Sequence, residues 1–249
     1  MILMVNGACG HMGTEMMKQI RLQFPDAEII PVDACDTCQD VYHELGQYTG
    51  PLDCIVDFSH HSATKQLTEY AVSTRTPLVI ATTGQTAQER EMIDLASQSI
   101  PVFLASNFSL GIAVLVRIAK TAAKAFPNAD IEIVEVHHNR KIDVPSGTAL
   151  TLAKAVQSVR EDATLHIGRH ENGKREKQEI GIHSLRMGNV PGIHEIHICT
   201  PTQTLTLKHE THDRALFAEG AAEAVKFLLG KPAGLYDMES MTSTKEEKQ

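Results

Sequence analysis

The sequence predicts an α/β protein in which a parallel, doubly wound sheet is followed by a smaller α+β region. Over about the first 105 residues, apolar runs of strand length alternate with segments whose apolar residues recur at helical spacing. Beyond residue 178 this regular alternation is lost, and three strand-like runs follow one another without helices between them. A chain of 249 residues has room for two such regions.

The elements of the first region follow one another in a regular order. The predicted strands are residues 2–5, 27–32, 54–58, 77–81 and 101–105, and the predicted helices are 14–24, 62–73 and 87–98. In the first helix Met16, Ile20 and Phe24 share one face, and Pro25 ends it. A further helix, 111–126, leads away from the sheet.

The second region begins with a strand, Ile131 to Val136, in which apolar and charged residues alternate. The later elements are a helix at 148–159, strands at 180–187, 193–200 and 203–209, and a helix at 215–229. The polar, basic segment 160–178 is expected to be a solvated loop, with a mobile loop that reaches a bound acid as the alternative. Residues 235–238 are expected to end the ordered chain. On a strand, His194 and His197 lie on opposite faces and make a poor metal-binding pair.

Composition limits the classes of protein that fit. A net charge of −8 argues against a nucleic-acid partner. No apolar run reaches the roughly 18 residues that a membrane-spanning helix needs, and the first strand leaves no room for a signal peptide. Five cysteines, an odd number, are typical of a reducing compartment. We therefore expect a cytoplasmic protein.

A glycine-rich turn after the first strand predicts a dinucleotide site. Gly7, Gly10 and Gly13 would allow a tight turn, close approach of a pyrophosphate and close packing of helix on strand. Asp33 ends the second strand, where an acid can bond ribose hydroxyls. The spacing departs from the usual fingerprint, so a glycine-rich turn that binds nothing stays the alternative.

Polar turns follow the other strands of the same sheet. Thr82, Thr83 and Gly84 follow the fourth strand, and Ser106 and Asn107 follow the fifth. Each is an ordinary loop when taken alone. Because the carboxyl ends of parallel strands share one edge, these turns together predict a cofactor site there.

Two short motifs receive no assigned role. Cys35 and Cys38 form a lone C-x-x-C, and a zinc site would need two more ligands, none of which is nearby in the sequence. A redox pair is possible, although a coincidence within a loop is the simpler reading. His60 and His61 follow the third strand at the same edge and could contact the cofactor, but a solvated loop is the favoured interpretation.

The stretch IEIVEVHHNRKIDVPSGT, from Ile131 to Thr148, carries the chemistry. Its strand delivers His137 and His138 to one edge, with Lys141 close behind, and histidine exchanges protons readily near neutral pH. Ser146-Gly147-Thr148 precedes a helix, whose free N–H groups favour an anion. A proton donor beside an anion site suggests a small acidic substrate, whereas structural histidines and a simple N-cap are the alternative.

This stretch resembles the signature of the dihydrodipicolinate reductase family, E-x-x-H-x-x-K-x-D-x-P-S-G-T-A. The fixed positions are matched by Glu135, His138, Lys141, Asp143, Pro145, Ser146, Gly147, Thr148 and Ala149. Further similarity lies in the segments GACGHMG, IVDFS, ATTG, ASNFSLG and GLYDM, which span almost the whole chain.

The resemblance implies an oxidoreductase with a Rossmann-like dinucleotide-binding domain, residues 1–108 completed by 215–249, and a substrate and oligomerisation domain, 109–214. Such enzymes use NADH or NADPH to reduce a cyclic dicarboxylate on the diaminopimelate route to lysine. They are usually homotetramers. The resemblance implies no metal ion.

The resemblance also implies roles for individual residues. His137 would be the acid/base residue and Lys141 the proton donor. The substrate carboxylates would be held by His138, Ser146, Gly147 and Thr148. The cofactor would be lined by Gly7, Ala8, Cys9, Gly10, His11, Met12, Asp33, Ala81, Thr82, Thr83, Leu104, Ala105, Ser106 and Asn107.

The choice of cofactor follows from a departure from the family pattern. His11 stands where many members have arginine, and Ala34 stands where many have a further basic residue. Asp33 suits a ribose diol and repels a 2′-phosphate. We expect NADH to be preferred or equal. Another dehydrogenase of related plan and a non-catalytic nucleotide sensor stay as alternatives.

Overall fold

The computed structural model describes residues 1–243. The strands are β1 (Ile2–Asn6), β2 (Glu28–Val32), β3 (Cys54–Asp57), β4 (Leu78–Ile80), β5 (Pro101–Leu104), β6 (Asp130–His137), β7 (Thr164–Ile167), β8 (Glu179–Arg186), β9 (Ile193–Thr200), β10 (Gln203–Glu210) and β11 (Gly234–Tyr236). The helices are α1 (His11–Gln23), α2 (Thr64–Thr74), α3 (Ala87–Ser97), α4 (Leu110–Ala125), α5 (Gly147–Gln157), α6 (Ala215–Leu228) and α7 (Met238–Thr242).

The chain divides into two compact units. The first unit comprises Met1–Ser109 together with the chain from Ala215 onward, and the second comprises Leu110–Arg214. Within the described residues, none of the helices is both long and apolar enough to cross a bilayer.

The first unit is built on a six-stranded parallel sheet with the order β11-β5-β4-β3-β1-β2. Its central strands are apolar without alternation because helices cover both faces of such a sheet. Leu3, Met4 and Val5 of β1 are accordingly all buried, as are Ile55 and Val56 of β3. The predicted parallel α/β fold is confirmed, and the carboxyl ends of β1, β3, β4 and β5 share one edge.

The second unit is built on a mixed five-stranded sheet with the order β10-β9-β6-β8-β7. Strand β6 lies at its centre, antiparallel to β9 and parallel to β8. The apolar residues alternate here because α4 and α5 pack on one face only. Ile131, Ile133, Ile182 and Ile196 are buried in one cluster with Leu152 of α5.

Three local predictions were wrong. The expected loop 160–178 contains strand β7, a short edge strand whose sequence, TLHI, offers little periodicity. The guanidinium of Arg175 in this segment is not free in solvent but donates hydrogen bonds of 2.9 Å to Asp130 and 3.0 Å to Glu132. Order also continues past residue 238, because Asp237 caps helix α7.

Candidate functional site

The histidine site, defined as Glu135, His137, Lys141, Ser146 and His194, lies in the second unit. Alternation along β6 places Glu135 and His137 on the buried face of the sheet, with 0% and 8% exposure. The Nδ1 atom of His137 lies 2.5 Å from Oε2 of Glu135. A carboxylate at this position makes Nδ1 the donor and leaves Nε2 as the atom that can exchange a proton.

Arg186 holds Glu135 in place from the neighbouring strand. It pairs with His137 in the parallel register of β6 and β8, so its side chain reaches the same carboxylate. The Nη1 and Nη2 atoms donate to the two carboxylate oxygens at 2.9 and 2.8 Å. Such a bidentate pair fixes geometry as well as charge.

The carboxyl of Glu135 stays ionised in spite of its burial. Burial alone would raise its pKa, but the hydrogen bonds from His137 and Arg186 hold the pKa below its usual range. The backbone N–H of Ser146 adds a further bond of 3.2 Å. Glu135 therefore acts as a fixed negative charge behind His137.

His194 completes the buried part of the site. The antiparallel register of β6 and β9 places it opposite Glu135, and its ring centroid lies 5.1 Å from that of His137. Its Nε2 atom is 3.1 Å from Oγ of Ser146. The pKa of His194 is lowered to about 4, mainly by burial and secondly by the neighbouring His137. Its ring is therefore neutral at pH 7.

The exposed side of the site is cationic. Nζ of Lys141 lies 2.8 Å from Asp143, and Arg214 lies 3.4 Å from Nε2 of His138. The pKa of His138 is lowered, mainly by partial burial and secondly by the charges of Arg140 and Arg214. Positive groups gathered on a chain of net charge −8 indicate a local anion site.

The start of α5 provides main-chain donors beside these cations. Ser146 is the N-cap, and its Oγ accepts a hydrogen bond from the backbone N–H of Ala149 at 3.2 Å. The first turn contains Gly147 and Thr148, and a Cβ at Gly147 would meet open space. An anion can approach this backbone closely, and the helix dipole favours it there.

The dinucleotide edge, defined as the turns at the carboxyl ends of β1 to β5 in the first unit, rests on main-chain geometry. Gly7 has φ +80°, and a Cβ at Gly13 would collide with the carbonyl oxygen of Gly7. Gly10 is the N-cap of helix α1, which has no side-chain cap and no acidic residue in its first turn. Its N–H groups are suited to a phosphate.

Asp33 and Asp57 are the carboxylates of this edge. The Oδ2 and Oδ1 atoms of Asp33 accept hydrogen bonds from the backbone N–H groups of Cys9 and Cys35, at 2.8 and 3.0 Å. Asp57 is 1% exposed and binds Asn6 at 2.8 Å and Thr82 at 3.2 Å. Asp57 therefore ties together the ends of β1, β3 and β4.

The other residues of the expected cofactor site follow the same edge. The positions Gly7, Ala8, Cys9, Gly10, His11 and Met12 follow β1; Ala81, Thr82 and Thr83 follow β4; and Leu104, Ala105, Ser106 and Asn107 end or follow β5. His61, read as solvated loop, instead begins a 3-10 turn, with Nδ1 3.0 Å from Glu89.

The cysteine arrangement differs from the sequence interpretation. Cys38 is bonded to Cys9, from the glycine-rich turn, while Cys35 is a free thiol. Ligand atoms of Cys9, Asp33 and Cys38 all lie within 4.8 Å of one another. The sequence analysis considered Cys35 with Cys38 and missed Cys9, which lies 29 residues before Cys38 in the chain.

Sequence reasoning gave no role to four residues that the structure places at these sites. Arg186 and His194 reach the histidine site through strand pairing, which a single sequence does not reveal. Asn6 and Asp57 end strands β1 and β3, whereas the sequence analysis placed Asn6 just after the first strand and Asp57 within the third. Alternation along β9 offered one signal, since it places His194 on the buried face.

Comparison with known proteins identifies relatives over the whole length of the chain. The family model described as "Dihydrodipicolinate reductase, N-terminus" matches residues 1–108, and the model described as "Dihydrodipicolinate reductase, C-terminus" matches residues 111–242. Together these matches cover nearly the entire sequence.

Two relatives carry the name 4-hydroxy-tetrahydrodipicolinate reductase. The protein from Caldanaerobacter subterraneus subsp. tengcongensis is 38% identical over 244 residues, covering 96% of this chain and 97% of its own. The protein from Alkaliphilus metalliredigens is 39% identical over 243 residues, covering 97% and 98%.

A solved structure supports the fold. The dipicolinate-bound dihydrodipicolinate reductase from Paenisporosarcina sp. TG-14 matches with a TM-score of 0.79 and covers 95% of this chain and 97% of its own. Its sequence identity is 24%, so the likeness bears on the fold alone.

Proposed function

The chain belongs to the dihydrodipicolinate reductase family, and we propose from this membership that it reduces 4-hydroxy-tetrahydrodipicolinate to tetrahydrodipicolinate. The reaction takes a hydride from NADH or NADPH and a proton, releases the 4-hydroxyl group of the substrate as water, and serves the diaminopimelate route to lysine. The observation that carries the proposal is the buried contact of His137 with Glu135, which Arg186 holds in place.

His137 acts as the acid/base residue in this proposal. Its Nδ1 is held by Glu135, so Nε2 exchanges the proton. A Cβ at position 192 would lie 3.1 Å from Nε2, and Gly192 therefore leaves this atom approachable. A nicotinamide, when bound, would supply the hydride, and His137 or Lys141 would add a proton at the neighbouring ring carbon.

The substrate carboxylates are assigned to the cationic side of the histidine site. His138 and Lys141 lie there, and the N-terminus of α5 contributes Ser146, Gly147 and Thr148. Arg214, which contacts His138, adds charge. Charge-assisted bonds of this kind are roughly twice as strong as neutral ones, which suits a dicarboxylate.

The test is turnover of freshly generated hydroxy-tetrahydrodipicolinate, followed by the loss of NADH absorbance. The proposal expects steady oxidation of NADH that stops when the substrate is omitted, with pyridine-2,6-dicarboxylate as a competitor. NADH oxidation with an amino acid or sugar instead would favour another dehydrogenase. Binding of NADH without turnover of any of these would favour a nucleotide sensor.

The preferred cofactor is proposed to be NADH, or NADH and NADPH equally. Asp33 carries negative charge at the ribose position, and His11 and Ala34 lack the guanidinium that binds a phosphate best. Each lost charge-assisted bond costs about 1.5–3 kcal/mol, or roughly ten- to a hundredfold in affinity. Measurement of kcat/KM with both cofactors tests this, and a tenfold preference for NADPH would contradict it.

Two further properties are proposed from the family alone, namely a cytoplasmic location and a homotetramer formed through the sheet of the second unit. Leu185 is 44% exposed and pairs with Val136 on the face of the sheet opposite the buried Glu135, which leaves apolar surface there for a second copy. Sedimentation would test the assembly, and a monomer at micromolar concentration would contradict it. Cell fractionation would test the location.

A further inference from the structure

The cysteine pair of the dinucleotide edge lies where a cofactor would be received. Cys9 belongs to the glycine-rich turn and Cys38 to the segment after β2, 29 residues further along the chain. Their Cα atoms are 6.6 Å apart, and their sulfurs are joined. The bond therefore ties the turn expected to hold the pyrophosphate to the segment that begins with Asp33.

Asp33 links this pair to cofactor binding. Its Oδ2 accepts a hydrogen bond from the N–H of Cys9, and both sulfurs lie within 4.8 Å of its carboxylate. A ribose hydroxyl bonded to that carboxylate would have to come within about 2.8 Å of it, where the two sulfurs take up part of the space. The disulfide therefore holds both sulfurs beside the carboxylate, where they obstruct the approach of a ribose to Asp33.

A third thiol lies next to the pair. Cys35 is exposed, and its Sγ lies 3.1 Å from Oγ1 of Thr37, whose hydrogen bond lowers the pKa of Cys35. The N–H of Cys38 donates to the carbonyl of Cys35 at 3.1 Å, which keeps the two cysteines in one turn. An exposed thiol with a lowered pKa favours exchange with a neighbouring disulfide.

We propose that Cys9 and Cys38 form a reversible redox lock on the dinucleotide edge. With both as thiols the edge accepts the cofactor; with the disulfide formed it binds the cofactor weakly. The lock rests on the proposed binding of a nicotinamide dinucleotide at this edge. Disulfides of this kind in a reducing compartment are typically transient and regulatory.

The chemistry balances with a two-electron oxidant such as diamide. Two S–H bonds break and one S–S bond forms, and the two protons and two electrons reduce the N=N bond of diamide to HN–NH. A dithiol such as dithiothreitol reverses the step by two thiol–disulfide exchanges and closes to its own cyclic disulfide.

The experiment compares the full-length protein after dithiothreitol and after diamide, with a chelator present throughout. Non-reducing peptide mapping reports the linkage, and the Kd for NADH and the turnover rate report the effect. We expect a Cys9–Cys38 peptide after oxidation, a loss of NADH affinity of at least tenfold, and recovery with dithiothreitol. Cys38→Ser should bind NADH as tightly as the dithiothreitol-treated parent protein and should not lose affinity after diamide. Cys199→Ser, at an exposed thiol of the second unit, should bind NADH as tightly after dithiothreitol and should lose affinity after diamide as the parent does.

Three results would overturn the lock. Unchanged affinity in protein that carries the mapped Cys9–Cys38 link would do so, as would the absence of that link after oxidation. An equal loss of affinity in oxidised Cys38→Ser would assign the effect to another thiol. A reduced protein that neither binds NADH nor turns over would instead contradict the proposed function, so the two failures are distinguishable.

Discussion

In the histidine site the buried carboxylate of Glu135 is held mainly by side chains, whereas in the dinucleotide edge the carboxylate of Asp33, expected at the ribose, is held by main-chain N–H groups. Glu135 is bonded by His137 and by Arg186, 51 residues further along the chain. Asp33 accepts its two bonds from backbone N–H groups. The difference teaches that a proton-transfer group needs fixed side-chain orientation, while a dinucleotide needs a shaped backbone.

The largest expected effect comes from His137→Gln, which removes the acid/base group and leaves the dinucleotide edge intact. Turnover should fall about 10²- to 10⁴-fold with the Kd for NADH unchanged, because a positioned general acid contributes about that much. His197→Gln is the matched control, since this residue is partly exposed on the opposite face of β9. Near-normal turnover of His137→Gln would remove the proposed acid/base role.

A second large effect should come from Glu135→Gln. The change leaves the guanidinium of Arg186 without its counter-charge, and breaking a buried pair costs about 3–5 kcal/mol of unfolding free energy. Urea unfolding measures this loss, and turnover should also fall because His137 loses its orienting charge. Glu132→Gln, on the exposed side of the same strand, should cost about 1 kcal/mol or less. An equal loss of unfolding free energy in the two variants would contradict the proposed role of Glu135 as the buried partner of Arg186.

The pH dependence of stability should report His194. Its pKa is about 4 in the folded chain, against about 6.5 for an unperturbed histidine, so the unfolded chain takes the proton first as pH falls. The neutral ring of His194 therefore contributes about 3 kcal/mol to the unfolding free energy. This contribution is fully present above about pH 6.5 and is lost as the pH falls towards 4. Unfolding free energies at about pH 7 and about pH 5 should differ less in His194→Gln than in the parent protein. Equal differences in both proteins would contradict burial of a neutral ring.

The smallest expected effect is that of Thr148→Ala on substrate binding. This change weakens a contact made in both the ground and transition states, so KM should rise severalfold while kcat stays close to normal. Steady-state kinetics with pyridine-2,6-dicarboxylate as competitor measures it. Thr151→Ala, one turn further along α5, is the control. An unchanged KM and inhibition constant would place the acid site elsewhere.

The two regions also differ in how far the sequence predicted them. The glycines, Asp33 and the order of strands and helices follow local rules, so the parallel α/β fold could be predicted from the sequence. His137 and Lys141 were found because they lie close together in one motif. Arg186 and His194 depend on how β8 and β9 pair with β6, and Cys9–Cys38 depends on the packing of distant turns; neither contact has a local signature.

The most direct test of the central claim is an isotope measurement on the product. NADH carrying deuterium at the transferred position should place one deuterium on one ring carbon of the product, with the adjacent carbon taking its hydrogen from water. The same reaction with unlabelled NADH in deuterated water should label that adjacent carbon instead. Mass spectrometry and NMR of the product locate the label. Deuterium from NADH on neither carbon would contradict a hydride-transferring reductase.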